Sequence, residues 1–223
     1  MAARLPPRPP RLTATDWATA ASLATAAGTL VLAVATFVSV RSANRAARVA
    51  ERTLLAGIRP LLVPSRAQDP EQKIGFADNR WIRVPGGQAA SDVTEEAIYL
   101  VISLRNVGSG LGVLHGWRFH GEALLGGDGH PPLEEFHRLS RDIYVPIGEM
   151  GFWQGAFRDP ADPEFSAARD AIAGRRQMTV DLLYGDYEGG QRVISRFAVI
   201  PAAEDRWLAT VSRHWNLDRP DPR

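Results

Sequence analysis

Five histidines, His115, His120, His130, His137 and His214, are the first residues to weigh for chemistry. Zinc hydrolases carry a spacing such as His-Glu-x-x-His on one helical face. No pair here has it. His115 and His120 are five apart on a predicted strand, and strand alternation puts them on opposite faces. His130 precedes two prolines in a loop. A metal site could only be assembled from distant residues, for example His115 with His214 and Asp186. That assembly would make the chain a hydrolase or a metalloenzyme.

Nucleophilic chemistry has no motif either. The chain lacks cysteine, which removes disulfides, thiolate metal sites and cysteine nucleophiles. It has no Gly-x-Ser-x-Gly elbow. The carboxylate pairs Glu95-Glu96, Glu134-Glu135 and Asp181/Asp186 read as solvated faces, because neighbours in sequence do not face one another. Gly126-Gly127-Asp128-Gly129 is Gly-rich but has no Lys and no following helix with a Ser or Thr, so it reads as a loop rather than a phosphate cradle. No catalytic, cofactor-binding or metal-binding residue is assigned, and no cofactor is expected.

Aromatic residues are the remaining signal. Trp and Tyr favour protein interfaces. Trp117 shares a face with Leu111, Val113 and Phe119 and reads as core. Trp153, in Gly-Phe-Trp-Gln-Gly, and Trp215, in Arg-His-Trp-Asn, are flanked by Gly or polar residues. They are the two candidate partner contacts.

Any such site must be positioned by what surrounds it. Trp17–Val40 contains no Asp, Glu, Lys, Arg, His or Pro. About 20 apolar residues cross a bilayer core as a helix, so this stretch predicts a single transmembrane helix over 17–40. It is too long for a signal-peptide core, and it lacks the polar face of a helix packed on a soluble core. Residues 1–16 predict a disordered Pro- and Arg-rich tail. Ala20, Ala24 and Gly28 recur every four residues, a spacing that lets a second copy of the helix approach closely as a homodimer.

Beyond Val40 the pattern changes. Arg41, Arg45, Arg48 and Arg52 fall in one helical stripe, with Ala43, Ala47, Ala50 and Leu54 opposite. Gly57 and Pro60 stop the helix. Residues 41–58 are therefore a basic helical neck, in which Arg41 and Arg45 are placed to meet lipid headgroups. Arg41, Arg45, Arg48, Arg52 and Arg59 follow the anchor, against Arg4, Arg8, Arg11 and, unless acetylated, the amino terminus before it; five against three or four favours the C-terminal domain in the cytoplasm.

The net charge of +1 hides an asymmetry. Arg4, Arg8 and Arg11 against Asp16 give +2 over 1–40. Six Arg against Glu51 give +5 over 41–66. Seventeen basic against 23 acidic residues give −6 over 67–223. An acidic domain behind a basic neck argues against a nucleic-acid partner, since phosphate binding needs basic surface. Lys73 is the only lysine, a usage that resembles high-GC bacterial genomes.

Residues 59–223 read as one domain of short strands. Apolar, often β-branched runs occur near 60–64, 81–84, 98–107, 111–119, 143–157, 178–187, 193–200 and 207–215. Ile98, Leu100, Ile102 and Leu104 alternate cleanly, as do Met178, Val180, Leu182 and Tyr184. Two helices are expected, a turn or two over Pro131–Leu139 and a capped helix over Asp162–Gly174. The fold class is mainly β, a β-sandwich of immunoglobulin type with one or two short helices behind the long N-terminal helix.

Two segments carry a resemblance. Leu104-Arg105-Asn106-Val107-Gly108-Ser109-Gly110 resembles the Asn-x-Gly-x-Gly corner between strands of immunoglobulin-like domains. Tyr184-Gly185-Asp186-Tyr187-Glu188-Gly189-Gly190 resembles the Tyr-x-Asp-x-x-Gly hairpin of the same domains. Together with the anchor and neck, the chain resembles uncharacterised bacterial single-pass membrane proteins that carry one such domain. The resemblance implies a fold and a membrane topology, not an activity. The antibody-type Cys…Trp…Cys core is missing.

The leading expectation is a non-enzymatic, membrane-anchored protein-binding domain. The alternatives are the anchored hydrolase or metalloenzyme above and a structural subunit of a membrane complex. Fractionation checks the anchor. Carbonate washing is expected to leave the full-length chain in the membrane, and a C-terminal alkaline phosphatase fusion is expected to stay inactive. Release by carbonate, or an active fusion, contradicts the topology.

Overall fold

The computed structural model describes residues 14–124, 129–203 and 206–219. The tail to residue 13 and residues 126–128 of the Gly-rich loop lie outside them. The chain divides into two compact units at Thr53/Leu54.

Helix α1 runs Ala14–Gly57 and is long and apolar enough to cross a membrane. Its amino half is rich in hydroxyls, which lipid would leave without partners. The helix resolves this internally. Thr19, Thr25, Thr29 and Thr36 each donate to the carbonyl four residues back, at 2.8–2.9 Å. Ser22 donates to the Thr19 carbonyl. The side chains from Leu23 to Val40 are exposed, Phe37 at 65%.

The second unit is built from antiparallel strands. In order they are β1 (Leu62–Pro64), β2 (Gln72–Gly75), β3 (Trp81–Val84), β4 (Gln88–Val93), β5 (Ile98–Asn106), β6 (Gly112–His120), β7 (His137–Val145), β8 (Met150–Phe157), β9 (Met178–Gly185), β10 (Val193–Pro201) and β11 (Trp207–Asn216). Helix α2, Pro163–Ala173, lies between β8 and β9. Strand β5 is paired by β1 and β4 along one edge and by β8 along the other. The path then runs β4-β11-β10-β9-β6-β7. The β4–β11 link is only two residue pairs, Trp207↔Ala89 and Leu208↔Gln88.

Through that narrow link the sheet folds over, and β5 and β8 face β6, β9 and β10. Leu100, Ile102 and Leu104 of β5 share one core with Trp117, Val180, Leu182 and Phe197. Trp117 of β6 meets Trp153 of β8 with ring centroids 5.4 Å apart. Strands β5, β9 and β10 are buried on both faces, so each needs a second cover. The β2–β3 hairpin covers the far side of β5, packing Ile74, Phe76, Ile82 and Val84 on Tyr99 and Val101. Phe136, Ile194 and Trp215 form a smaller cluster on the far side of β9 and β10.

Helix α2 forms where its signals lie. The Asp162 carboxylate accepts from the Glu164 amide at 2.9 Å, Pro163 starts the helix, and Phe165, Ala168 and Ala171 are buried. The Pro131–Leu139 helix is corrected: only Leu133–Glu135 makes a 3-10 turn, and β7 begins at His137. Phe136 is extended and buried, which ends the turn after three residues.

β1 is short but deeply set. Leu62 is fully buried, its amide donates to the Tyr184 hydroxyl at 3.1 Å, and Ser65 and Ser103 hydroxyls meet at 2.6 Å. A chain beginning at Gly57 is therefore expected to be soluble, with β-type circular dichroism and one cooperative unfolding transition. One beginning at Ala67 loses β1, leaves part of an edge of β5 unpaired and should aggregate. Equal behaviour of the two, or a mainly helical spectrum, contradicts this architecture.

Candidate functional site

Among the described residues, strands β7 and β8 each pair on one side only, β7 with β6 and β8 with β5. They are the edges of the two facing layers. β7 also has a large irregularity. Ile143 pairs Leu114 and Arg138 pairs Gly116, so Leu139–Asp142 have no ladder partner on β6. The bulged stretch bows away from the sheet. Between these edges and the β2–β3 hairpin lies a cleft of about 460 Å³. Ligand sites commonly span 300–1,000 Å³.

Aromatic rings form one part of the cleft. Trp117 is its buried wall, with its indole 4.7 Å from the His137 ring and 5.4 Å from Phe157. Trp81 is 55% exposed. Its ring lies over Gly75, where a Cβ would approach it to 2.9 Å, and Lys73 Nζ stands 4.8 Å from its centroid. Gly155 keeps the wall open, because a Cβ there would come within 2.5 Å of the Trp153 ring.

Cations form the other part. Arg138, Arg141 and Arg158 line the cleft, and no Asp or Glu does among the described residues. Arg141 Nη2 donates to Gln154 Oε1 at 2.8 Å and to the Gly75 carbonyl at 3.4 Å, bridging the two edges beside Trp81. Arg158 pairs with Asp78 at 3.2 Å. The Tyr99 hydroxyl donates to the same carboxylate at 2.6 Å, and this bond is the main cause holding the Asp78 carboxyl below its usual range. His137 Nε2 lies 2.7 Å from Glu164 Oε2. The Arg138 side chain has no hydrogen-bond or ion-pair partner among the described residues.

The expected contacts Trp153 and Trp215 are not surface residues. Trp153 is fully buried and Trp215 is 3% exposed. Gly151 and Gly155 share the inward face of β8 with Trp153, Gly155 making room for its indole and Gly151 for Val145, so a Gly flank signalled volume rather than exposure. Trp215 is covered by Phe136 and Ile194, with the Arg196 and Arg213 guanidinium groups 4.9 and 5.2 Å from its ring. Its adjacent neighbours His214 and Asn216 report on the opposite strand face, and Arg213 covers the ring rather than exposing it. Among the described residues of the strand unit, Trp81 is the indole at the surface. Its signal was the alternation Trp81-Ile82-Arg83-Val84, which buries Ile82 and Val84 and leaves Trp81 beside Arg83 outside.

The distant metal trio is not gathered. His115 lies against Gly185, on the outer face of β9. His214 Nδ1 meets the Ser195 hydroxyl at 2.5 Å, and Ser195 meets the Tyr184 hydroxyl at 2.7 Å, on the core face. Among the described residues no group of three or more His, Asp or Glu is arranged to hold a metal. The Ser195–His214 pair is the nearest thing to a nucleophile with a base, but Ser195 is completely buried. Burial also pushes the Tyr184 hydroxyl up to about 12. The bulge at His115 puts it on the same face as His120, not the opposite one. Gly185 beside His115 and Asp181 beside Arg118 share one side of β9. Desolvation by burial, the largest cause for each, holds both imidazoles below their usual value. Arg41 and Arg45 are exposed on α1.

No family model matches the chain, and neither a curated protein nor a solved structure matches it.

Unfolding of the chain beginning at Gly57 separates the two tryptophans. Trp81→Ala should change stability by less than about 0.5 kcal/mol, as at other exposed positions. Trp153→Ala should cost about 3–5 kcal/mol through the cavity it leaves. A costly Trp81→Ala or a neutral Trp153→Ala contradicts the assignment of surface and core.

Proposed function

We propose that the chain is a membrane-tethered, non-enzymatic binding protein whose partner is another protein. One observation carries this reading, the cleft between β7, β8 and the β2–β3 hairpin. It combines an exposed Trp with Arg side chains, the residue types that dominate protein-binding hot spots. α1 acts as the anchor, supported by its length, its apolar run and its self-satisfied hydroxyls. The Arg excess after the anchor supports a cytoplasmic domain.

An immunoglobulin-like β-sandwich belongs to the same proposal, and the connectivity supports it. One layer has β5 between β1 and β8; the other runs β7-β6-β9-β10. Reading β1, β5, β6, β7, β8, β9 and β10 as strands A, B, C, C′, E, F and G gives the A-B-E and G-F-C-C′ layers of that fold. Trp117 is a buried Trp on the C position. β11, which bridges β10 to β4, is an addition.

Site-specific cross-linking tests the function. A photoreactive benzophenone amino acid placed at Trp81 of the full chain should give a discrete adduct in its own membranes. The same group at Tyr187, which is exposed but not a cleft residue, should not. Adducts at neither position, or equally at both, contradict a binding role for the cleft; equal labelling would fit a structural subunit instead.

A further inference from the structure

We propose that the cleft recognises an extended acidic segment of its protein partner, with a carboxylate seated on Arg138 and Arg141 and a neighbouring planar or apolar side chain against Trp81. This rests on the binding role proposed above and names the ligand chemistry.

Charge sets the sign. Three Arg line the cleft, and no Asp or Glu does among the described residues. Arg158 is already paired with Asp78. Among the described residues the Arg138 side chain has no hydrogen-bond or ion-pair partner, and Arg141 is held by neutral groups, the Gln154 amide oxygen, the Gly75 carbonyl and the Phe152 ring. A carboxylate forms charge-assisted, often bidentate bonds with Arg that are roughly twice as strong as neutral ones. An incoming carboxylate would therefore take Arg141 from Gln154.

Spacing sets the segment. Arg141 Nη2 and the Trp81 ring meet at the same residue, Gly75, one at its carbonyl and the other over its Cα. The anion site and the aromatic platform are thus side by side. Alternate side chains of an extended peptide lie on one face, so one can meet Arg141 while the next on that face meets Trp81. Strand geometry also favours an extended ligand. Among the described residues β7 and β8 each have a single ladder neighbour, so their outer edges present backbone donors and acceptors without a ladder partner. Such edges bind peptides by adding a strand, with side-chain pockets supplying selectivity. Location fits as well, because the domain's own net charge of −6 over 67–223 leaves this cationic cleft as a local exception that steers an acidic segment to it.

Fluorescence anisotropy tests this with the full chain in nanodiscs of phosphatidylcholine, a lipid without net charge for the neck arginines to attract. The probe is a fluorescein-labelled peptide alternating Gly with Glu, Phe and Glu. Control peptides carry Gln or Lys at the Glu positions. The acidic peptide should bind at least about tenfold tighter than the Gln peptide, with affinity falling as salt rises. The double substitution Arg138→Gln with Arg141→Gln should abolish that preference while leaving the unfolding midpoint unchanged. Trp81→Ala should weaken the acidic and Gln peptides alike. Equal binding of the acidic and Gln peptides, no binding of either, or a preference that survives the double substitution overturns the proposal. Displacement of the peptide by inorganic phosphate at low millimolar concentration also overturns it, by reassigning the cleft to phosphate. A discrete cross-link at Trp81 in membranes without acidic-peptide binding would leave the binding role standing and reject only this ligand.

Discussion

One buried amide ties the domain together. The Asn106 side chain has no exposed surface, yet all its hydrogen-bonding positions in play are filled. Its Nδ2 donates to the Gly110 carbonyl at 2.6 Å and to the Val145 carbonyl at 2.9 Å. Its Oδ1 accepts from the Leu61 and Gly108 amides at 3.2 and 3.0 Å. These partners come from the segment entering β1, from the β5–β6 corner and from the end of β7. Leaving such groups buried without partners costs about 1–3 kcal/mol each, and the Asn amide, with two donor hydrogens and an oxygen that accepts twice, meets all four. The glycines follow from it. A Cβ on Gly110 would stand 1.6 Å from the Ile58 carbonyl, and one on Gly108 would stand 2.4 Å from the Leu61 amide.

That corner fixes one end of the fold, and the open cleft lies along edges it leaves free. With β7 pinned at Val145 and β6 bulged at His115, the strand bows out from Leu139 to Asp142 and cannot close on β8. The two layers meet through side chains at this edge, chiefly Trp117 against Trp153. A second buried polar group is locked by its partners. Asp181 is fully buried but receives both Arg196 nitrogens at 2.7 and 2.8 Å and has Arg118 at 4.0 Å. Removing one partner of such a pair is far more destabilising than its net worth, which makes it a structural lock and not a reaction centre.

Much of this was legible in the residues. The long apolar helix α1, the capped helix α2 and the alternating strands β5 and β9 follow from composition and period: an uninterrupted apolar run, a cap with an apolar stripe, and a period of two. β2 and β4 escaped, since Gln72–Gly75 and Gln88–Val93 are short and largely polar or small. The β-bulge escaped because His115 and Gly116 give no sign that two residues oppose one. The cleft was illegible for a different reason. Trp81, Trp117, Arg141 and Gln154 come from four strands, and only the fold-over of the sheet brings them together. Trp153 misled because glycine beside tryptophan means space for the ring as readily as exposure.

Rigid corner and open edge together are the central claim, and native-state hydrogen exchange reads both at once. The Leu61 and Gly108 amides, bonded to Asn106 Oδ1, should exchange only through global unfolding. Amides within Leu139–Asp142, which lack a ladder partner on β6, should exchange through local opening at far lower free energy. Exchange of Leu61 and Gly108 as fast as that of the β7 bulge would contradict the account.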